Sequence, residues 1–323
     1  MVVSVTALSK ELEQLETLRR HERKTRAAWL IGGGALLLFP LTTLIAGLKA
    51  GGNEGGLYLA LVLLLLGLSV LFHQVGRARK RYCAAYKSQV IPALVRSLQP
   101  DMAYYREGNF GEHWFQNSGL YEQEYNLYES EDYLTGYIGE TDFQIGEILV
   151  QHETAWRDEH GQKQTRTKTI FDGLLAVAAF PGKFAGDVFI IPDFAEKHFA
   201  WLGRAFQKLG TDHDEDLLRI DNPEFERAFV VRATDPEKAI ELLTPEMQEQ
   251  ILTLRTRLGK DLRLAIRGAQ IFIAIPSSKD WFEPRIARPA SCPDQVQDLL
   301  RQLTACFRIV EDLSLNTRIR TRE

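Results

Sequence analysis

KAGGNEGG, Lys49–Gly56, interrupts an apolar tract that would otherwise run unbroken from Ala27 to Val75. On one side stands AAWLIGGGALLLFPLTTLIAGL (27–48), on the other LYLALVLLLLGLSVLFHQV (57–75). Each flank reaches the length, about 20 residues, that a helix needs to cross a hydrocarbon core about 30 Å thick. Neither contains an ionisable side chain before His73. In lipid a backbone must satisfy its own hydrogen bonds, so both flanks are expected to be helices. The octet is short, polar and glycine-rich, which predicts an exposed turn. The two spans then form a transmembrane helical hairpin.

The flanking charges set an orientation. Arg19, Arg20, Arg23, Lys24 and Arg26 precede the first span, and Arg77, Arg79, Lys80 and Arg81 follow the second. The turn holds Lys49 alone. The positive-inside rule places both collars in the cytoplasm and the turn outside. A signal peptide does not fit: the apolar run is too long, Glu11, Glu13, Glu16 and Glu22 precede it, and a second span follows at once. Ala28 and Gly32 form a small-xxx-small pair, suited either to the second span or to a second copy of the chain. Pro40 is expected to kink the first span. The spans carry no internal charge, which argues against a pump or pore.

Charge is unevenly divided. Residues 1–98 carry a net +8 and residues 99–323 a net −12. An acidic domain without a basic stripe is a poor ligand for nucleic acid. Cys83, Cys292 and Cys306 make no CxxC and no even-numbered framework, consistent with a reducing compartment.

Below the spans, Val5, Leu8, Leu12 and Leu15 repeat at 3-4-3 spacing, a coiled-coil seam. Folding the hairpin about its turn sets residue i near about 105 − i for straight antiparallel helices. Leu15, Leu12 and Leu8 then approach Val90, Leu94 and Leu98, forming an intramolecular stalk with a restart or kink at Pro92. The rival is a coiled coil between chains, which would make a homo-oligomer.

After Pro100 the chain becomes aromatic and β-like. YLTGYIGE (133–140), TDFQIGEILVQHETAW (141–156) and KTIFDGLLAVAAF (168–180) read as strands, the last two as a long hairpin around RDEHGQKQ (157–164). DVFIIPD (187–193) reads as a separate short strand. A helix is expected over 194–210 ending at Gly210, followed by a charged loop. DLLRI (216–220) and FVVRA (229–233) read as short strands. Helices are expected after the caps Asp235 and Thr244, each with Pro in its first turn. DLRLAIRGAQIFIAIP (261–276) reads as a second hairpin turning at Arg267–Ala269, and 292–313 as a long amphipathic helix. The resulting division is an N-terminal stalk helix (1–26), span one (27–48), external turn (49–56), span two (57–75), basic collar and stalk (76–99) and a cytoplasmic α+β domain (100–323). That domain is an antiparallel sheet with helices, with a subdomain boundary expected near 210–220.

Catalytic motifs are missing. There is no Walker A, no GxGxxG after a strand, no GxSxG elbow and no HExxH. No catalytic residue and no cofactor is assigned. Asp212, His213, Asp214 and Asp216 are candidate metal ligands, although Leu217 and Pro223 stand where an EF-hand needs Gly and Glu. His152 and Glu153 point to opposite faces of a strand and cannot share a site. Arg166 and Lys168 alternate on one strand face, within reach of headgroups or an acidic partner.

TIFDGLLAVAAFPGKFAGDVFIIPD, DNPEFERAFVVRATDPEKAIELLTPEM, QIFIAIPSSKDWFEP and LSLNTRI, in this order after the two spans, resemble the bacterial Domain of Unknown Function 3137 family. The resemblance implies a bacterial membrane protein, supplies no activity, and implies a LemA-type membrane protein as a partner. With the two spans and their collars, the expectation is a multi-pass protein of the bacterial inner membrane with both termini cytoplasmic. The expected function is therefore a non-catalytic, membrane-tethered interaction or scaffold module. The alternatives are an anionic-lipid sensor, using the hairpin basics with Arg318, Arg320 and Arg322, or a metal-assisted hydrolase.

Overall fold

The computed structural model describes residues 9–51, 54–107, 109–159, 161–193 and 217–315. It divides into two compact units, one built on the chain up to Ala93 with Glu283–Leu299, the other on Leu94–Phe282 with the chain from Leu300 on.

In the first unit helix α1 (Ser9–Ala28) passes through a π-helical turn (Trp29–Gly33) into α2 (Gly34–Ala50), and α3 (Glu54–Leu98) follows. Gly51 ends α2 at φ 63, a left-handed cap that glycine adopts without a Cβ clash. The helices lie side by side in opposite directions. A Cβ on Gly47 would stand 2.6 Å from Leu57, on Gly67 2.4 Å from Leu37, and on Gly33 2.9 Å from Leu71. These pairs fall within about one residue of the register expected from the turn. Gly32, by contrast, has nothing within 4 Å of its Cβ position, so its neighbour Gly33 makes the close approach to α3.

Leu12–Lys49 and Glu54–Leu98, 38 and 45 residues, are long and apolar enough to cross a membrane. Their large side chains point outward: Leu36 is 77% and Phe72 is 72% exposed. Pro40 sits within α2, where the Thr42 and Thr43 hydroxyls donate to the Phe39 carbonyl at 2.9 and 3.1 Å. Both hydroxyls thereby satisfy their own hydrogen bonds inside the helix, as polar groups in an apolar span must. The expected restart at Pro92 does not occur, because α3 is one helix through it. Burial of Val90, Ile91, Leu94 and Val95 offsets the lost backbone bond, which costs about 3 kcal/mol.

The base of this unit is bound by a segment that sequence reading left unassigned. Lys87 pairs with Glu283 at 2.9 Å, and its side chain is only 4% exposed. The Ala290 N–H donates to Glu16 Oε2 at 2.9 Å, and Arg19 Nη1 donates to the Ile286 carbonyl at 3.2 Å. Arg285–Ala290 thereby lies against α1 and α3 through main-chain groups, which carry no side-chain signature in sequence.

The second unit is a mixed helix and antiparallel-sheet structure. In chain order it contains β1 (Met102–Tyr105), α4 (Glu112–Ser118), β2 (Leu127–Ile138), β3 (Thr141–Arg157), β4 (Lys163–Pro192), β5 (Leu217–Leu218), α5 (Pro223–Ala228), β6 (Phe229–Ala233), α6 (Pro236–Leu242), α7 (Pro245–Leu258), β7 (Arg263–Pro276) and, from Leu300 on, α8 (Pro293–Asp312). The strands form one seven-stranded sheet in the order β1-β2-β3-β4-β6-β5, with β7 also on β4. Asn222, Asp235 and Thr244 cap α5, α6 and α7 by accepting backbone N–H bonds, each just before a proline. The core gathers Phe110, Phe115, Ile148, Val150, Phe171 and Phe272 on one face of the sheet.

Two expectations are corrected. The expected strands over 168–180 and 187–193 are parts of the single strand β4, which ends at Pro192, and the hairpin expected over 261–276 is one strand from Arg263 to Pro276. The halves of β7 do not pair with each other. Ile271–Pro276 pairs with Gly173–Ala178, and Leu264–Arg267 pairs with Asp187–Ile190. Register shifts between Ala179 and Asp187 absorb the bend in β4, while Gly268 at φ 59 turns β7 alongside it. The helix and loop expected over 194–216 lie outside the described residues.

Beyond a register shift at Val150/Gln151, β3 and β4 continue as a two-stranded arm from His152↔Lys168 to Arg157↔Lys163. Asn126 ends the adjoining edge by exchanging two 2.8 Å hydrogen bonds between its side-chain amide and the Glu153 backbone.

Candidate functional site

Among the described residues, a bulge in β2 brings three carboxylates of the second unit together. Pairing jumps from Glu131↔Glu147 to Leu134↔Ile145, so Asp132 and Tyr133 stand opposite Gly146. Asp132 adopts φ 52 and is fully buried. It accepts the Tyr104 hydroxyl proton, and its own N–H bonds to the Arg106 carbonyl at 3.1 Å. Glu147 is buried and accepts the backbone N–H of Trp281 at 3.0 Å. Carboxylate oxygens of Glu131, Asp132 and Glu147 lie within 4.8 Å of one another.

Glu131 and Glu147 border a cleft of about 480 Å³ that Arg106, Glu129, Asp172 and Asp280 also line. Burial, then the nearby Asp280 charge, raises the Asp172 pKa. Burial also raises the Tyr104 hydroxyl, with the Asp132 charge adding to it, so that Tyr104 remains a donor. Oxygen-only donors suit a hard cation. Acidic clusters are nevertheless common without an ion, and what the trio establishes is a negative face on β2 and β3. No local pattern in sequence marks it, because the bulge that brings Asp132 to Glu147 is a property of strand pairing. A second cleft of about 710 Å³ near the base of the arm includes Tyr121, Asp172, Arg263 and Lys279. There the Arg263 guanidinium lies 4.5 Å over the Tyr121 ring.

The candidate metal ligands Asp212, His213, Asp214 and Asp216 lie outside the described residues. His152 and Glu153 take opposite faces of the arm, opposite Lys168 and Thr167 respectively. Of the basic collar, Arg20, Arg23, Lys24, Arg77, Arg79, Lys80 and Arg81 are exposed, and Arg26 is half-buried. Arg19 differs: it is buried and held by Glu16 through bonds of 2.6 and 2.7 Å. That hydrogen bonding, partly opposed by burial, holds the Glu16 carboxyl down at about 2. Arg19 therefore shapes the base of the helices rather than a lipid-facing surface. Burial pushes the Cys83 and Cys306 thiols up to about 12, which leaves them protonated and unreactive at neutral pH.

A family model described as "Protein of unknown function (DUF3137)" matches residues 169–315. The chain resembles that family. The match runs from within β4 past the end of α8, so the apolar helices and the Glu131–Asp132–Glu147 trio fall before it. No curated protein matches the chain. Among solved structures, the crystal structure of the mycobacterial trehalose monomycolate transport factor A, TtfA, is similar at a TM-score of 0.33 and 11% identity. The similarity covers 68% of this chain and 92% of that one, and at this distance nothing about the present chain follows from it.

Proposed function

We propose that this chain is a non-catalytic, membrane-tethered interaction module. Two apolar helices anchor it in a bacterial inner membrane, and a cytoplasmic α+β unit recruits a protein partner. The observation that carries the reading is the outward apolar surface of α2 and α3, exemplified by Leu36, Phe39 and Phe72. Helices apolar on their outer surface belong in lipid rather than water. The collars on both sides and the nearly uncharged turn support two cytoplasmic ends by the positive-inside rule. The acidic balance of residues 99–323 favours a basic partner surface. The DUF3137 resemblance implies a LemA-type membrane protein as the first candidate.

In-cell crosslinking of the full-length chain, followed by mass spectrometry, tests this reading. A reproducible neighbour, lost when residues 100–323 are deleted, is the expected outcome. Capture of the chain itself and lipid alone would overturn the recruitment role.

A further inference from the structure

The β3–β4 arm has two chemically different faces. Residues directly opposite each other in an antiparallel ladder share a face, and faces alternate along each strand. One face carries His152/Lys168, Thr154/Arg166 and Trp156/Gln164. It holds two fixed positive charges, an imidazole and an indole, with no carboxylate. The other carries Glu153/Thr167, Ala155/Thr165 and Arg157/Lys163. Followed back into the sheet, that second side leads to Glu147, Glu131 and Glu129 at the acidic cleft. Each face of the arm thus carries two cations, but only the second has a carboxylate, Glu153, and only the second continues into the acidic cleft.

The basic face is exposed: Thr154, Gln164, Arg166 and Lys168 are solvent-facing, and Trp156 is 47% exposed. Of the two acids at the tip, Glu159 is exposed, while Asp158 is held in the turn. It accepts the Gln162 N–H and the Gln164 side-chain amide, both at 2.9 Å. An indole beside two cations, on a hydrogen-bonded ribbon, is a combination suited to the headgroup layer. There Trp rests at the boundary of water and hydrocarbon, and Lys and Arg meet anionic lipid.

We propose that this face docks on the anionic phospholipid surface of the membrane that anchors the chain, turning the acidic side away from it. The inference rests on the tethered reading above. Tethering matters energetically, because two cations and one indole bind weakly from solution. A tether raises the effective concentration of the surface to the millimolar range, where weak contacts are populated. The net −12 of residues 99–323 does not forbid contact. At physiological salt the screening length is about 8 Å, so only charges near the surface are felt, and on this face those are positive. Arg166 and Lys168 together are expected to shift the docked-to-free ratio about thirtyfold on anionic lipid.

The test uses the full chain in nanodiscs of zwitterionic lipid or of the same lipid with about 30% phosphatidylglycerol, a fraction chosen to give a substantial negative surface potential. The readout is quenching by bromine-labelled lipid chains, taken as the difference between wild type and Trp156→Phe. That difference isolates Trp156 from Trp29, Trp114, Trp201 and Trp281. Docking predicts quenching of Trp156 in anionic discs, little in zwitterionic ones, and loss near 1 M salt, where the screening length is about 3 Å. Arg166→Glu with Lys168→Glu abolishes it, whereas Glu153→Lys on the opposite face leaves it. Equal quenching in both lipids overturns the proposal. So does an unquenched Trp156 that is shielded from acrylamide in native membranes, which would assign the face to an acidic protein. Insertion is scored separately by flotation at high salt. A chain that floats with Trp156 unquenched loses the docking inference and keeps the tether, while a chain that does not float loses both.

Discussion

Along α2 and α3 the backbone hydrogen bonds close within each helix, whereas β4 is satisfied on one side by its neighbour β3 and on the other by β7, with Leu175 opposite Ala274. Both regions are rich in aliphatic side chains, yet they use them differently. The helices turn Leu36, Phe39 and Phe72 outward and meet each other through glycines, while the sheet turns Ile148, Val150 and Phe272 inward. A helix that supplies its own hydrogen bonds tolerates change on its outward surface. A strand whose partners come from distant chain does not, because one displaced backbone breaks two ladders. Substitution should therefore be graded by how many chain segments converge on a position.

The largest effect is expected at Gly173, where φ is 146 and a Cβ would stand 2.2 Å from the Ile275 carbonyl oxygen. Gly173→Ala should cost about 4 kcal/mol, seen as a collapse of the thermal midpoint of the full chain in detergent. A midpoint within a few degrees of wild type would break the contrast between sheet and helix. Lys87→Met comes next, removing the buried partner of Glu283. A loss of about 3 kcal/mol is expected, and a neutral result would mean that Arg79, 3.8 Å away, suffices to hold Glu283.

Glu16, in the charged segment before the apolar stretch 27–48, tests the same base by pH. Its folded-state pKa, about 2, lies below the ordinary 4.5, so its contribution is full above pH 4.5 and is lost as pH falls towards 2. That contribution is about 3 kcal/mol as an upper figure. Paired melts of wild type and Glu16→Gln should differ most at neutral pH and converge as the pH falls through that window. A gap that stays constant down to pH 2 would assign the loss to packing instead of charge.

The smallest effect belongs to Gly32, whose Cβ direction is open to 4 Å. Gly32→Ala should change stability by no more than about 1 kcal/mol, on the favourable side, from helix propensity. If size-exclusion in detergent instead shows an oligomer lost in this variant, Gly32 is a contact between copies.

Some elements were legible because their cause is local. The caps at Asp235 and Thr244 each precede a proline, and a capping oxygen needs only the next few residues to act. Asn222-Pro223 carries the same signal and would have located α5. The β3–β4 hairpin was readable from its alternation and from Gly161 in the turn, at φ 75. Arg267-Gly268-Ala269 was misread because a glycine between two apolar runs has the same local form in a turn and in a bent strand. The partner decides between them, and here the partner is the equally bent β4. The trio at Glu131, Asp132 and Glu147 was invisible, since a shift in pairing rather than any spacing brings it together.

The sequence by itself determined two apolar helices of spanning length, the turn between them, the charge asymmetry and the alternating arm. Each follows from the composition and period of one continuous stretch. The tertiary structure alone decided which glycine meets the opposite helix, that Arg19 is buried, that β7 runs on along β4, and where the carboxylates gather. Those outcomes depend on which distant backbone satisfies which hydrogen bond, and no single stretch of chain carries that information.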